Sequence, residues 1–344
     1  MKFKDKENRE KKIFFRQINN FINEKTILSG NIQPSIINGL NFKQVNIFTT
    51  KFNFFIKLNL IEKTQFGLIY NKKIFLKSNF FVYLWPRNKK EALFQLHFFF
   101  SHFKNNTKVF IFGKNSFGVK SCVHLLKKWI ILKKIDSVKS CSCFSGYITK
   151  ITDIQFSLKD FFKTYYVNNL KIKSLPGIFD YSGIDDGTNL LASTFSKNIK
   201  GKVLDLGCGS GVLSLILSKI CKDKISLTLI DSEYHAIISS MENFKINKMT
   251  AKIFESDLFS NIKEKFDFII SNPPIHENNE KITVNIINKI IKMSSNYLNK
   301  NGELRFVSLS CLSYKKILNK HFRYIKILKN NKRYTVYKVM KPIF

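Results

Sequence analysis

The sequence predicts an α/β protein made of two tandem doubly wound units, the second ending in an antiparallel hairpin and the first being a degenerate copy. Three observations lead to this prediction. Strand-like and helix-like segments alternate through residues 176–344, the last two strand-like segments lie close together, and a similar order of elements recurs in residues 1–175. Such alternation is typical of a parallel sheet with right-handed crossovers. The length of 344 residues also favours about two domains.

The second half carries the clearer pattern. Apolar, β-branched runs predict strands at Val203–Leu206, Ser226–Asp231, Ala251–Glu255, Phe266–Ser271, Glu303–Ser308, Tyr324–Leu328 and Arg333–Met340. Amphipathic segments predict helices at Val212–Cys221, Glu233–Asn243, Lys281–Leu298 and Tyr314–Phe322. Only Lys329–Lys332 separates the last two strands, so we expect them to form a hairpin at one edge. This arrangement resembles the class I (Rossmann-like) methyltransferases.

The first half repeats part of this order. Strands are predicted at Asn79–Leu84 and Lys108–Phe112, and helices at Lys89–Phe103 and Lys120–Leu132. Trp85-Pro86 follows the first of these strands, as Pro273-Pro274 follows a strand in the second half. We therefore expect an internal duplication whose first copy lacks a glycine loop. A linker at Asn168–Pro176 is expected to separate domains 1–170 and 171–344.

The charge of the chain is strongly positive. Lys and Arg total 58 against 24 Asp and Glu, which gives +34 at pH 7. Residues 1–175 carry 32 basic and 9 acidic residues, a net charge of +23. Such an excess favours a polyanionic partner. Only six of the basic residues are Arg, however, and abundant Lys, Asn, Ile and Phe are also typical of A+T-rich coding sequences.

Several classes of protein are disfavoured. The six cysteines form no CxxC pair and show no Cys/His spacing suited to zinc, so we expect no metal. The charged N-terminus does not resemble a signal peptide, and the apolar runs fall short of the ~20 residues of a membrane helix. We expect a cytoplasmic monomer that does not bind membranes.

A glycine-rich segment after the first strand of the second half is the sharpest feature. It has the pattern Asp-x-Gly-x-Gly-x-Gly and ends at a helix, with its defining residues at Asp205, Gly207, Gly209 and Gly211. Glycines permit a tight turn, and a helix N-terminus presents free N–H groups to an anion. Because Val212 replaces the third glycine of a dinucleotide site, we expect S-adenosylmethionine, whose carboxylate would meet the loop. A plain glycine turn is the alternative.

Two later aspartates strengthen the prediction of a nucleoside site. Asp231 ends the next strand, where a carboxylate can accept bonds from both ribose hydroxyls. Asp257 follows the third strand and is expected to accept from the adenine amino group. Each alone is typical of an ordinary strand end, but their succession after neighbouring strands favours cofactor binding.

The segment Ser271-Asn272-Pro273-Pro274 ends the fourth strand. Two prolines stop the strand and stiffen the turn. The side-chain oxygen of Asn272 and the carbonyl of Pro273 can then accept two protons from a planar amine and aim its lone pair at a methyl donor. We therefore expect Asn272, Pro273 and Pro274 to be catalytic. The motif does not choose among adenine N6, guanine N2, cytosine N4 and a glutamine amide.

These motifs resemble those of the ribosomal RNA small subunit methyltransferase C family, guanine-N2 methyltransferases of bacterial 16S ribosomal RNA. The resemblance extends over most of the chain and rests on Leu175–Phe179, Gly183–Asp185, Asp205–Gly211, Ser271–Pro274, Tyr83–Lys89, Phe94–Leu96 and Gly118–Ser121. It implies two methyltransferase-like domains, the first without a cofactor site and used for RNA docking and stability. It also implies S-adenosylmethionine as cofactor, small-subunit RNA or the 30S subunit as partner, and a segment Asp185–Leu191 beside the cofactor.

One position departs from the family. Ile275 follows the two prolines where the family has Phe, whose ring can stack on an extruded base. We expect Ile275 and Phe179 to form the base pocket, while Phe268 is expected in the core. Two rival functions remain: an adenine-N6 or glutamine methyltransferase that uses the same turn, and a non-catalytic RNA-binding or ribosome-assembly factor.

Overall fold

The protein divides into two compact units, Met1–Phe161 and Phe162–Phe344. The computed structural model describes residues 8–37, 44–58, 63–149, 155–274 and 280–343. The division comes nine residues before the sequence-based boundary at 170/171, which lies inside a hairpin of the second unit.

The first unit is a doubly wound mixed sheet. Its helices are α1 (Asn8–Gln17), α2 (Pro34–Ile37), α3 (Phe52–Leu58), α4 (Lys72–Lys77), α5 (Lys89–Phe100) and α6 (Cys122–Leu125). Its strands are β1 (Thr26–Gly30), β2 (Val45–Thr49), β3 (Thr64–Phe66), β4 (Phe80–Leu84), β5 (Lys108–Lys114), β6 (Lys133–Val138) and β7 (Cys141–Tyr147). Within the described residues these strands form one sheet in the order β3-β2-β1-β4-β5-β7-β6. β7 pairs antiparallel with both β5 and β6.

The second unit repeats this topology. It begins with the hairpin β8 (Lys163–Val167) and β9 (Leu170–Ser174), followed by α7 (Asp186–Ala192), β10 (Gly201–Leu206), α8 (Val212–Cys221), β11 (Ile225–Asp231), α9 (Tyr234–Ile246), β12 (Lys252–Glu255), β13 (Phe266–Ser271), α10 (Glu280–Tyr297), β14 (Leu298–Leu309), α11 (Lys315–His321), β15 (Phe322–Asn330) and β16 (Tyr334–Pro342). The main sheet has the order β12-β11-β10-β13-β14-β16-β15. Position by position this matches the first sheet, so the predicted duplication, parallel sheet and edge hairpin are confirmed.

The linker expected at Asn168–Pro176 is wrong for most of its length. β8 and β9 pair antiparallel across Asn168 and Asn169, whose φ values are 50° and 61°. Two consecutive residues with positive φ are typical of a type I′ turn, which joins strands tightly. The Asn-Asn pair is therefore a hairpin signal, because asparagine tolerates this conformation better than most residues.

The helix expected at Lys120–Leu132 is also wrong in extent. Only Cys122–Leu125 is α-helical, after a short 3-10 turn at Val119–Ser121. The chain leaves the helix because Ile130 pairs with Ile148 in an isolated antiparallel bridge. This pairing with a distant segment overrides the local helical pattern.

Both faces of the central strands of the second sheet are buried. Successive strand residues point to opposite faces, so that Val203, Leu229 and Ile270 pack with α8, whereas Leu204, Ile230 and Ile269 pack with α10 and α11. Strands buried on both faces read as nearly continuous apolar runs, and in this half the alternation of such runs with amphipathic segments makes the strands recognisable.

Two features are absent from the described part of the chain. It contains no helix that is long and apolar enough to cross a membrane. It also contains no group of three or more His, Cys, Asp or Glu side chains arranged to hold a metal ion.

Candidate active site

The glycine loop connects β10 to α8 at the carboxyl edge of the second sheet. Gly207, Gly209 and Gly211 have φ values of 76°, 56° and 79°, a region that residues with side chains rarely adopt. A Cβ atom built on Gly207 would meet nothing within 4 Å. Backbone conformation therefore requires glycine at these positions, and the space beside Gly207 is open to a ligand.

Asp205 is the penultimate residue of β10 and is fully buried. Its Oδ2 accepts a 2.6 Å hydrogen bond from the Ser214 hydroxyl of α8, while Oδ1 is buried without a partner among the described residues. Burial raises the pKa of Asp205 to about 7. Because buried acceptors are normally satisfied, this oxygen marks a place where a bound water or ligand supplies the donor.

Asp231 is the last residue of β11, the neighbour of β10, and contacts the loop directly. Its Oδ2 accepts from the backbone N–H of Gly209 at 2.9 Å, and its Oδ1 accepts from that of Glu233 at 2.9 Å. Burial raises the pKa of Asp231 to about 6. Each carboxylate oxygen has a second lone pair, so Asp231 can hold the loop and still accept from two ligand hydroxyls.

Asp257 lies at the same edge, after β12. The register of the two strands pairs Asp231 with Glu255, two residues before Asp257. The backbone N–H of Asp257 donates to Ser260 Oγ at 3.0 Å, and its carboxylate has no hydrogen-bond partner among the described residues. The predicted acidic positions thus follow adjacent strands, with Asp257 available as an acceptor.

The Asn-Pro-Pro turn follows β13 and is tied to the glycine loop. The Ser271 hydroxyl donates a 2.8 Å hydrogen bond to the carbonyl of Leu206, which directly precedes Gly207 and lies 65 residues earlier. Pro273 is buried and Pro274 is exposed. The two sharpest sequence motifs therefore meet at the centre of the sheet edge.

Helix α7 sets the orientation of the Asn272 amide. Nδ2 of Asn272 donates to Thr188 Oγ1 at 2.7 Å and to the Asp185 carboxylate oxygens at 3.3 and 3.4 Å. Asp185 is itself fixed as the N-cap of α7 by the backbone N–H of Thr188. Since a carboxylate only accepts, the amide must turn its NH2 group toward Asp185. Oδ1 of Asn272 is left on the other side, without a partner among the described residues, as an acceptor for a ligand amine.

A buried network around Asp180 supports the loop and is missed by sequence reasoning. Asp180 accepts hydrogen bonds from the hydroxyls of Ser210 in the loop, Tyr165 of β8 and Ser174 of β9. Burial raises the pKa of Asp180. The hairpin before the main sheet is thereby attached to the glycine loop. No local pattern announces this contact, because the partners come from separate segments.

Polar residues on α9 also hold the loop. The Ser240 hydroxyl donates to the carbonyl of Gly209 at 2.9 Å, and Asn243 Nδ2 donates to those of Ser210 and Lys173 at 2.9 and 2.8 Å. Ser240 and Asn243 are fully buried. The sequence did contain a signal for this contact. Ser240 and Asn243 are three residues apart and therefore share a face of α9, and a helix face that packs against the sheet should otherwise be apolar.

Of the two residues expected to contact a substrate base, one can be placed. Phe179 precedes Asp180 and is 61% exposed, so its ring is accessible next to the loop-holding network. Ile275 lies outside the described residues. Phe268 is 3% exposed, with the Arg305 guanidinium 4.9 Å from its ring centroid, and belongs to the core as expected.

The equivalent edge of the first sheet is filled. β1 ends at Gly30 and continues into Asn31 without a glycine loop. Trp85, at the place that the Asn-Pro-Pro turn takes in the second sheet, is 1% exposed and donates from Nε1 to the carbonyl of Phe117 at 3.1 Å. A Cβ atom on Gly113 would lie 2.6 Å from that of Trp85. Close packing occupies the space that the second unit leaves open.

Two family models match most of the chain. The Methyltransferase small domain matches residues 169–338, and the Methyltransferase small domain N-terminal matches residues 12–165. The chain is 43% identical over 329 residues to ribosomal RNA small subunit methyltransferase C of Buchnera aphidicola subsp. Acyrthosiphon pisum, covering 94% of this chain and 96% of that relative. It is 33% identical over 331 residues to the protein of that name in Photorhabdus laumondii, covering 96% and 97%.

A solved structure has the same two-unit fold. It is the T. thermophilus 16S rRNA N2 methyltransferase in complex with AdoMet and guanosine, with a TM-score of 0.76 and 17% identity. The match covers 92% of this chain and 88% of that one. At this identity the likeness concerns the fold, which is confirmed as two tandem Rossmann-like methyltransferase domains.

Proposed function

The chain belongs to the ribosomal RNA small subunit methyltransferase C family, and from that premise we propose that it methylates the exocyclic N2 of a guanosine in 16S ribosomal RNA with S-adenosylmethionine as methyl donor. The chain is 43% identical to a relative of that name, which supports the substrate and the reaction. The observation that carries the chemistry is the Asn272 amide, whose Oδ1 has no partner among the described residues.

The residues at the sheet edge fit S-adenosylmethionine. The space beside Gly207 admits a ligand close to the backbone, and Asp205 has a buried oxygen without a donor in the described chain. We propose that Asp231 accepts from the ribose hydroxyls and Asp257 from the adenine amino group, and that the glycine loop receives the carboxylate. When bound, S-adenosylmethionine supplies an electrophilic methyl group on sulfur.

Asn272 and Pro273 would prepare the guanine amine. Oδ1 of Asn272 and the carbonyl of Pro273 would accept hydrogen bonds from its two N–H groups, which draws the nitrogen toward tetrahedral geometry and makes its lone pair available. Pro274 keeps the turn stiff, because its ring fixes the backbone φ. Once the methyl group has moved from sulfur to nitrogen, the positively charged amine would release one proton to water, so neither a covalent enzyme intermediate nor a charged base at the amine is needed.

We propose that Phe179 and Ile275 contact the guanine. Phe179 is 61% exposed and can offer a ring face, whereas Ile275 offers apolar surface without stacking. Base–aromatic stacking contributes roughly 1–3 kcal/mol per base. A pocket with one ring in place of two would therefore hold the base more loosely than the family pattern implies.

The two units would divide the work. We propose that the first unit, which carries most of the net charge of +23 found in residues 1–175, docks the small-subunit RNA or 30S particle and stabilises the second. The second unit does the chemistry. We further propose that the enzyme works as a monomer in the cytoplasm, where ribosomal subunits are assembled.

The proposed function is tested by mapping methylated guanosine. Small-subunit RNA from cells lacking the enzyme should gain one N2-methylguanosine on incubation with the protein and S-adenosylmethionine, detected by mass spectrometry of nuclease fragments. Methyl transfer to adenine or to a protein glutamine would support the rival methyltransferase. If the protein bound RNA but bound no S-adenosylmethionine and formed no methylated product, the result would support the ribosome-assembly factor.

Asp185→Asn should lower kcat on the order of 10²-fold, by analogy with loss of one preorganised acceptor. Asn caps a helix as well as Asp, so α7 should persist. The new amide would present NH2 to Asn272, whose own amide would then turn and direct a donor at the substrate amine. Steady-state kinetics with RNA substrate measure the effect.

The matched control is Asp186→Asn, at an exposed neighbouring position in α7. It removes the same charge one residue away and should leave kcat unchanged. Asp185→Asn should also retain the wild-type melting temperature and cofactor affinity. An unchanged kcat in Asp185→Asn would show that Asp185 does not position Asn272.

A further inference from the structure

Four lysines converge on one cleft in the first unit. Lys25, Lys63, Lys73 and Lys77 line it together with the uncharged polar side chains of Gln44 and Asn46, and its volume is about 310 Å3. We call it the lysine cleft. None of its lysines belongs to the motifs that define the proposed active site.

The fold constructs this cleft from several separate segments. Lys25, Gln44 and Lys63 each directly precede the first residue of a parallel strand, β1, β2 and β3 respectively. Lys73 and Lys77 are four residues apart on α4 and so share a helix face. The cleft therefore lies at the amino edge of the first sheet, opposite the edge that Trp85 fills.

Three of the four lysines of the cleft have no counter-charge among the described residues. Lys25, Lys73 and Lys77 form no ion pair with a described residue, and no described carboxylate lines the cleft. Elsewhere in the same unit a basic side chain meets a carboxylate, as Lys114 meets Glu10 at 3.3 Å. Ammonium groups gathered without counter-charges repel one another, and a bound anion would relieve that repulsion.

We propose that the lysine cleft binds the phosphodiester backbone of the RNA substrate. The inference rests on the proposed function only in taking ribosomal RNA as the ligand. Lysine and side-chain amides are common partners of phosphate and sugar oxygens. Ligand pockets of about 300–1,000 Å3 are usually apolar and aromatic, whereas this cleft is open and basic. It therefore suits a charged backbone and would contribute affinity and orientation without reading sequence.

The test is the salt dependence of RNA binding by the full-length chain. A triple variant, Lys25→Gln, Lys73→Gln and Lys77→Gln, is titrated against a 16S ribosomal RNA transcript from low to high salt. Each lost phosphate contact makes the negative slope of log K against log salt shallower by about 0.7–0.9. The magnitude of the slope should therefore fall by about 2–3. Affinity at one-tenth molar salt should fall on the order of 10²-fold.

A matched triple in the same unit removes the same charge elsewhere. Lys120→Gln, Lys127→Gln and Lys128→Gln change exposed lysines that line no part of the cleft. This control should alter the slope by less than one. Equal losses in the two triples would overturn the proposal, because the effect would then be that of overall charge. An unchanged slope in the cleft triple would overturn it as well.

Further readouts separate the cleft from the catalytic proposal. In the cleft triple, KM for RNA should rise while kcat, cofactor affinity and melting temperature stay at wild-type values. Arginine at the three positions should preserve binding, and its failure to do so would show a structural role instead. If the wild type binds RNA with the steep slope but methylates nothing, the proposed function fails while the cleft remains testable by binding alone.

Discussion

Asp231→Ala is expected to weaken S-adenosylmethionine binding on the order of 10²–10⁴-fold. The substitution removes two charge-assisted hydrogen bonds to the ribose, each worth roughly 1.5–3 kcal/mol. It also removes the acceptor that holds the Gly209 backbone N–H at 2.9 Å, so the loop loses a support. Isothermal titration calorimetry measures the affinity, and the wild type should bind one cofactor per chain.

The pH dependence of binding gives a second signature of the same carboxylate. Burial raises the pKa of Asp231 to about 6 in the free protein, and the ionised form is the better acceptor. Cofactor binding should therefore strengthen as the pH rises through 6, because at lower pH a proton must first be released. Asp231→Asn should lose this step.

The control for Asp231 is Asp223→Ala, an exposed acid in the turn before β11. It changes the net charge equally and should leave affinity unaltered. Two cofactors per chain would contradict the filled edge of the first sheet. Unchanged affinity in Asp231→Ala would remove Asp231 from the proposed ribose site.

The sheet edge that we propose as the active site could be predicted because its motifs are local in sequence. Glycines that need positive φ, aspartates at strand ends and a proline-stopped strand each carry their own signal, as at Gly207, Asp231 and Pro273. Parallel strands then bring these ends together automatically. What the sequence does not provide is the orientation of the Asn272 amide, which depends on Asp185, 87 residues away.

The parts that escaped prediction depend on contacts between distant segments. Asp180 itself belongs to none of the motifs taken from the sequence, yet it joins two hairpin strands to the glycine loop. The Asn168-Asn169 turn resembled a linker because polar residues are common to both. In the first unit, Thr26–Gly30 and Val45–Thr49 are short strands buried nearly throughout, which periodicity does not separate from other short apolar runs.

The two sheets show what catalysis requires beyond the fold. Both have the same strand order, so topology alone does not distinguish an active unit from an inactive one. At the end of the fourth strand in each, Asn272 presents an acceptor without a described partner, whereas Trp85 is packed and bonded to Phe117. Since the two edges differ although the strand order is the same, we propose that the residues at this strand end decide activity.

Asn272→Ala is the most direct test of whether the residue at this strand end decides activity. The variant should lose on the order of 10²–10³ in kcat, as expected for one preorganised polar contact to a transition state. Cofactor affinity should stay the same, because the proposed cofactor contacts belong to the loop, Asp231 and Asp257. RNA affinity should also persist, since it is assigned to phosphate contacts elsewhere. Single-turnover methylation with radiolabelled S-adenosylmethionine isolates the chemical step.

The control for this substitution is Asn296→Ala, at an exposed position of α10. It makes the same chemical change away from the sheet edge and should leave the single-turnover rate unaltered. The two possible roles of Asn272 are distinguished by whether the methylation rate or the cofactor affinity changes. Normal turnover with weakened cofactor binding would make Asn272 a structural support for α7. Loss of rate at constant affinity is expected only if its side-chain oxygen accepts from the reacting amine, because Thr188 and Asp185 contact the other end of the amide.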